Sequence, residues 1–280
     1  MKPWIIPTHY YQQFDADYSL EHPAEGYGGW KCADLPIQPD RTAIVMMHVC
    51  DCGTRDEYPG WFNSVEYLER SYRIAKEVLK PLVSAARTSG AIKVIHVPYD
   101  KRYVTGLPGY ERVCRMSPDT PDRLEKADED EVLFQLRSFR SNQVYPGERN
   151  LEDVLQGVER MSFVDGLEPL KDELITASSE QLFAICKAQG INHLIYTGFA
   201  INMCLLMSPG GMLDMSRRGI LCSAVRQGVT AVENRETAAT EMAKEVELWR
   251  VALSFGFLYD ADDLISLLAS DGQMQQSGVS

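Results

Sequence analysis

The sequence predicts an α/β protein built on a parallel sheet, and three observations carry that prediction. Short runs rich in β-branched residues recur along the chain, longer helix-compatible segments separate them, and the runs are near-continuously apolar rather than alternating. Continuous apolarity is what strands covered on both faces show. Alternation of strand and helix then implies right-handed crossovers between parallel neighbours.

Taken in order, "TAIVMMH" (42–48) reads as the first strand, "AIKVIHV" (91–97) as the second, and "HLIYTGF" (193–199) and "ILCSAV" (220–225) as two more. The segment 64–90 places Tyr72, Ile74, Val78, Leu79, Leu82 and Ala86 near helical spacing and stops at Gly90, a C-cap residue. Pro81 lies inside it and is expected to kink it. In 178–190, Ser178 and Gln181 form a capping-box pattern and Gly190 closes the helix. A third helix is expected over 235–256. No repeat or low-complexity linker divides the chain, so 1–280 reads as one domain. Residues 1–41, rich in Pro, Tyr and Trp, are expected to wrap the body. Residues 98–170, charged around "DRLEKADEDE", are too long for a simple crossover and read as an insertion forming a lid or an oligomer contact. The tail 271–280 reads as disordered.

Composition is that of an ordinary globular protein, with 45% hydrophobic and 24% charged residues. Lys and Arg total 28 against 40 Asp and Glu, a net charge of −12, which argues against nucleic acid or an anionic membrane as partner. No stretch approaches the ~20 apolar residues of a membrane span, and the opening "MKPWIIPTHYYQQFDADY" has neither region of a signal peptide. Seven scattered cysteines, an odd number, read as reduced thiols, so a cytoplasmic location is expected. No glycine-rich dinucleotide fingerprint follows a strand, and no cofactor is expected.

The chemistry-bearing stretch is "GFAINMCLLMSPGG" (198–211). Ligands of open α/β sheets sit beyond the carboxyl ends of the strands, and Cys204 falls there, at the start of a helix whose unpaired amides favour thiolate and can hold an oxyanion. Gly198 permits a sharp turn, and Asn202 can fix the loop or line a substrate site. A cysteine packed under the sheet is the competing reading, since free cysteine is among the most buried residue types.

"GFAINMC", followed by a helix and "RRGILCSAVRQGVTAVE", resembles the isochorismatase-like cysteine hydrolases. The likeness extends to "RIAKEVLKPLVSAARTSGAIKVIHVPYD" and "ELITASSEQLFAICKAQGINHLIYTGF", covering roughly residues 40–100 and 165–270. The resemblance implies a Rossmann-like three-layer fold, with a parallel sheet of about six strands and helices on both faces, and a homo-oligomer. It also implies Cys204 as nucleophile, the backbone amides of Ala200 and Cys204 as oxyanion donors, a cis peptide at Phe199–Ala200, and Lys171 as the cation that stabilises the thiolate and intermediate. For Lys171, eleven residues before Leu182, a plain surface lysine is the alternative.

One position departs from the pattern. Where such hydrolases carry an aspartate that accepts the cysteine proton, this chain has His48, and Asp51 lies three residues on, ~10 Å along an extended strand and on its other face. Three readings stay open. His48 replaces the aspartate as base, imidazole being suited to deprotonate a thiol; or the site is silent and the fold serves as a scaffold or binding protein; or His48, Cys50 and Cys52, which share a face if extended, hold a metal such as zinc. His96, Tyr99 and Trp61 are further candidates to line a substrate pocket, with core packing as the alternative for each. The nicotinamidase branch carries an Asp-x-His metal pair after the second strand; "HVPYDKRY" shows none. The expectation is a cysteine-dependent hydrolase of a C–N bond in a small amide- or ureide-like molecule, acting through a thioester.

Overall fold

A computed structural model describes residues 1–118 and 126–276. Its strands are β1 (Trp4–Gln12), β2 (Gly29–Ile37), β3 (Thr42–Met47), β4 (Cys50–Asp51), β5 (Lys93–Val97), β6 (Ser162–Phe163), β7 (Leu174–Ile175), β8 (His193–Phe199), β9 (Leu221–Thr230) and β10 (Leu258–Tyr259). Eight of them form one sheet in the order β2-β1-β10-β9-β8-β3-β5-β7. The six from β10 to β7 pair in parallel, which is the doubly covered sheet that the apolar runs predict. β7 and β10, two residues each, are too short to leave a periodic signal.

The helices are α1 (Pro59–Ser64), α2 (Leu68–Ile74), α3 (Lys80–Ser89), α4 (Pro108–Met116), α5 (Glu131–Gln143), α6 (Leu151–Arg160), α7 (Ser179–Gln189), α8 (Cys204–Met207), α9 (Met212–Arg217), α10 (Met242–Ser254) and α11 (Ala261–Gln276). A π turn over Ala75–Leu79 joins α2 to α3, with Lys80 N bonding back to Ala75 O. Pro81 lacks the amide that would continue the ladder, and the widened turn just before it absorbs the break. Gly90, at φ 67°, closes α3. Ser178 Oγ accepts from Gln181 N and caps α7 as its spacing predicts; the Gln181 side chain turns back to Ala177 N rather than to Ser178. α10 begins at Met242, later than the 235 expected.

Alternation along β3 builds the core. Ala43, Val45 and Met47 face one side, against Leu182 and Ile185 of α7, Leu205, and Leu248 and Val251 of α10. Ile44 and Met46 face the other, against Leu79, Leu82 and Val83, and Leu264 and Leu268 of α11. Two helical layers thus enclose the sheet.

Two expectations about the ends meet the structure differently. Residues 1–41 do not simply wrap the body: β1 and β2 form an antiparallel hairpin that extends the sheet, touching β10 at His9 and Leu258. The tail is helical through Gln276, because Leu264 and Leu268 anchor α11 on the core; 277–280 lie outside the described residues, as does part of "DRLEKADEDE". The insertion contributes α4, α5 and α6. No described helix is long and apolar enough to cross a membrane.

Candidate active site

The chain enters the parallel sheet at β3, builds β5 and β7 to one side, then returns to β8 and builds β9 and β10 to the other. The order in which strands are added therefore reverses between β3 and β8, and a crevice opens at their carboxyl ends. His48 follows β3 directly; Ala200 and Cys204 follow β8. Both His48 and Cys204 line one cavity of about 90 Å³ there.

Gly198 makes this approach possible. It pairs with Met47 and adopts φ +114°, and a β-carbon there would overlap the Met47 carbonyl oxygen. Only glycine allows the two strand ends to come so close. On the other side of the contact, His48 itself has φ +54°, a left-handed conformation uncommon outside glycine. Its amide donates to Val97 O at 2.8 Å, so the turn is fixed by β5. The ring meets Tyr99 edge-on at 5.2 Å between centroids. His48 Nδ1 is buried with no hydrogen-bond partner among the described residues, and burial pushes the imidazole down to about 4. At neutral pH the ring is uncharged, able to accept a proton and unpaired.

After β8 the peptide Phe199–Ala200 is cis, as the resemblance implies. Ile201 N donates to Thr230 O, while Met203 N and Leu205 N both turn to Ala200 O. Among the described residues no protein acceptor takes the amide hydrogens of Ala200 or Cys204. Asn202 fixes the loop: its side chain donates to Val232 O at 2.8 Å and accepts from Val232 N at 2.9 Å. Asn202 thus clamps the loop, and it does not line the cavity.

Other expected residues divide between the cavity and elsewhere. Trp61, Tyr99, Cys50 and Cys52 line it. Lys171 and His96 do not. Lys171 is exposed and precedes β7, at the amino end of a parallel strand, with its carbonyl oxygen accepting from Arg112. Counting back from α7 overshoots the two-residue strand; the residue at the carboxyl end of β7 is the buried Thr176, whose hydroxyl donates to Ser178 O. His96 is buried, its Nε2 2.9 Å from Glu173. Burial opposes ionisation of Glu173, but hydrogen bonds from Arg87, His96 and Leu170 N overcome it and hold the carboxyl at about 2. The His96 ring is committed to that cluster.

The proposed metal ligands fail for a geometric reason. The left-handed turn at His48 breaks the extended register that would align 48, 50 and 52, and Cys50 Sγ donates to His48 O at 3.1 Å instead. Among the described residues no three His, Cys, Asp or Glu side chains are placed to hold a metal ion. The Cys52 thiol beside it, together with burial, pushes the Cys50 thiol up. Asp51 faces away from the cavity. Burial works against its charge, yet Tyr72, Gly53 N and Arg160 hold its carboxyl below the usual range.

The roof is what sequence reasoning missed: Tyr67 and Leu68 at the start of α2, Tyr145, Val154 and Val158 of α6, and Met161. The i, i+4 pair Val154 and Val158 was a readable stripe. Gly157 beside it was a second signal, because a β-carbon there would overlap the Trp61 ring, so α6 lies flat on that indole.

No protein-family model matches the chain. Among curated proteins it is 27% identical over 123 residues to the ureidoacrylate amidohydrolase RutB of Yersinia enterocolitica, an overlap of 41% of this chain and 50% of that protein. The chain thus matches half the length of that relative. Among solved structures, a cysteine hydrolase from Pseudomonas syringae superposes with a TM-score of 0.47 at 15% identity, over 85% of this chain and 96% of that one. An isochorismatase-like hydrolase from Alkaliphilus metalliredigens gives 0.43 at 13%, over 81% and 98%. In its sequence around Cys204 and in its six parallel strands, the chain resembles the isochorismatase-like cysteine hydrolases.

Proposed function

We propose that the chain is a cysteine-dependent hydrolase that cleaves a C–N bond in a small amide- or ureide-like molecule. The observation that carries this reading is the unpartnered imidazole of His48 in the same cavity as the Cys204 thiol. In the first half-reaction, the thiol proton passes to the His48 imidazole as Sγ attacks the carbonyl carbon. An imidazole pushed down to about 4 is a weak base, so the proton moves as the S–C bond forms rather than beforehand. The amides of Ala200 and Cys204 hold the oxyanion. Collapse breaks the C–N bond, and the imidazolium returns its proton to the leaving nitrogen. In the second half-reaction His48 takes a proton from water, hydroxide adds to the thioester, and the acid leaves as Cys204 recovers its proton. With Lys171 away from the cavity, the amides alone stabilise the developing charge.

Iodoacetamide labelling followed by peptide mass spectrometry tests this. Cys204 is expected to react fastest of the seven cysteines at neutral pH, and His48→Ala to slow it at least tenfold. Seven equally sluggish thiols would favour the second reading, a silent scaffold, for which the observation is that among the described residues neither carboxylate nor lysine lines the cavity.

A homo-oligomer belongs to the same proposal. α5 buries none of its residues and exposes Val132, Leu136 and Phe139 at i, i+4 and i+7. Glu131 at its start and Arg140 near its end would meet their opposites in a two-fold antiparallel pairing of two copies. Light scattering on the wild type and on Leu136→Asp tests it; a monomer in both cases rejects it.

A further inference from the structure

The lining of the Cys204 cavity has a chemical character that the hydrolase reading does not require. Trp61, Val65, Leu68, Val154, Val158 and Phe199 form its apolar walls, and among the described residues no Lys, Arg, Asp or Glu side chain lines it. Its polar groups are three thiols, the uncharged His48 ring, the Tyr hydroxyls and Ser71, and Ser71 Oγ is occupied by Leu68 O. Of the charged groups on neighbouring elements, Arg70 pairs with Glu66 and Glu241, and Arg160 with Asp51. A carboxylate or ammonium entering this space would lose its hydration and find no counter-ion, which is strongly unfavourable. Volume adds a second restriction. An apolar cavity of ~150 Å³ takes benzene, whereas this one measures about 90 Å³, which favours a small acyl group over an aromatic one.

We propose that the site selects a short, uncharged, apolar acyl group, such as a branched aliphatic amide, and rejects substrates that carry a carboxylate near the scissile bond. The substrate class rests on the hydrolase reading; the charge selectivity of the cavity does not. It separates this chain from the ureidoacrylate hydrolase it resembles, whose substrate by name is an acid.

The test compares alkylation of Cys204 by iodoacetamide and by iodoacetate. In each, the Cys204 thiolate forms an S–C bond, iodide departs with the bonding pair, and the thiol proton goes to buffer. Each rate at Cys204 is divided by that of free glutathione with the same reagent, which removes intrinsic reactivity. The expected result is a normalised preference for iodoacetamide of at least tenfold; a smaller preference overturns the proposal. A slow but strongly charge-selective Cys204 would sink the hydrolase reading and leave the selectivity standing, so the two failures are distinguishable. Thermal-shift titration with isobutyramide and with oxamate, which has the same number of heavy atoms and a carboxylate beside the amide carbonyl, reads the same discrimination without covalent chemistry. Isobutyramide is expected to raise Tm and oxamate to leave it unchanged; equal shifts, or none with either, overturn the proposal.

Discussion

Substitution of Gly198 by alanine probes the contact that brings the two halves of the site together. The residue sits at φ +114°, where an L side chain is strained, and its β-carbon would overlap Met47 O and come within 2.8 Å of Met47 C. Holding a non-glycine residue in such a conformation costs about 1–3 kcal/mol, and forcing a methyl group into a closed contact about 1–3 kcal/mol more. The sum is about 4 kcal/mol, a large fraction of a typical domain's stability. Gly219→Ala is the control. Gly219 also has positive φ, +83°, but no atom lies within 4 Å of its added β-carbon, so it should lose only about 1–2 kcal/mol from the backbone. Urea unfolding of both variants, with matched m-values, gives the difference directly. If Gly198→Ala falls within about 1 kcal/mol of Gly219→Ala, the β3–β8 contact is not closed as described, and the argument that it positions His48 against the 199–204 loop fails. Where the variant does fold, alkylation of Cys204 should change, because relief of the overlap moves His48, which follows Met47, away from that loop.

Other outcomes follow from the same geometry. Burial pushes His193 down from 6.5 to about 4, so as pH falls the unfolded chain takes up its proton first. The folded state is then fully favoured above pH 6.5 and loses about 2 kcal/mol by pH 5; His193→Gln should flatten that slope in urea titrations, and an unchanged slope would refute it. Glu173→Gln leaves Arg87 and His96 without their shared charge and should lower stability by about 2–4 kcal/mol at pH 7, whereas Lys171→Ala should stay within about 0.5 kcal/mol. Gly157→Ala gains about 1 kcal/mol of helix propensity but drives a methyl group into Trp61. A net loss of about 1–2 kcal/mol with altered tryptophan fluorescence is expected, and a net gain would show that α6 does not lie on the indole.

Much of the sheet was legible because its strands are buried on both faces and read as unbroken apolar runs. The 193–199 boundaries were readable to the residue, since Gly190 and the cis-linked elbow punctuate both ends. The hairpin of 1–41 was not, because Pro7 and Pro36 interrupt its alternation and its edge position leaves it half-exposed. At the site, local grammar revealed what is local: Gly198, Asn202 and Cys204 lie within seven residues, and His48 ends a clear strand. The lysine failed because a two-residue strand gives no register from which to count. The roof failed because its residues come from three distant segments, and Tyr145 and Met161 join the cavity only through tertiary packing.

The pairing of His48 with Cys204 is the claim on which the chemistry turns, and NMR of the histidine ring signals tests it most directly. Replacing Cys204 by alanine should shift the His48 resonances and its titration midpoint while leaving those of His193, which bonds Ser223 at 2.8 Å, where they were. His48 signals that do not respond to the loss of the thiol would contradict the account.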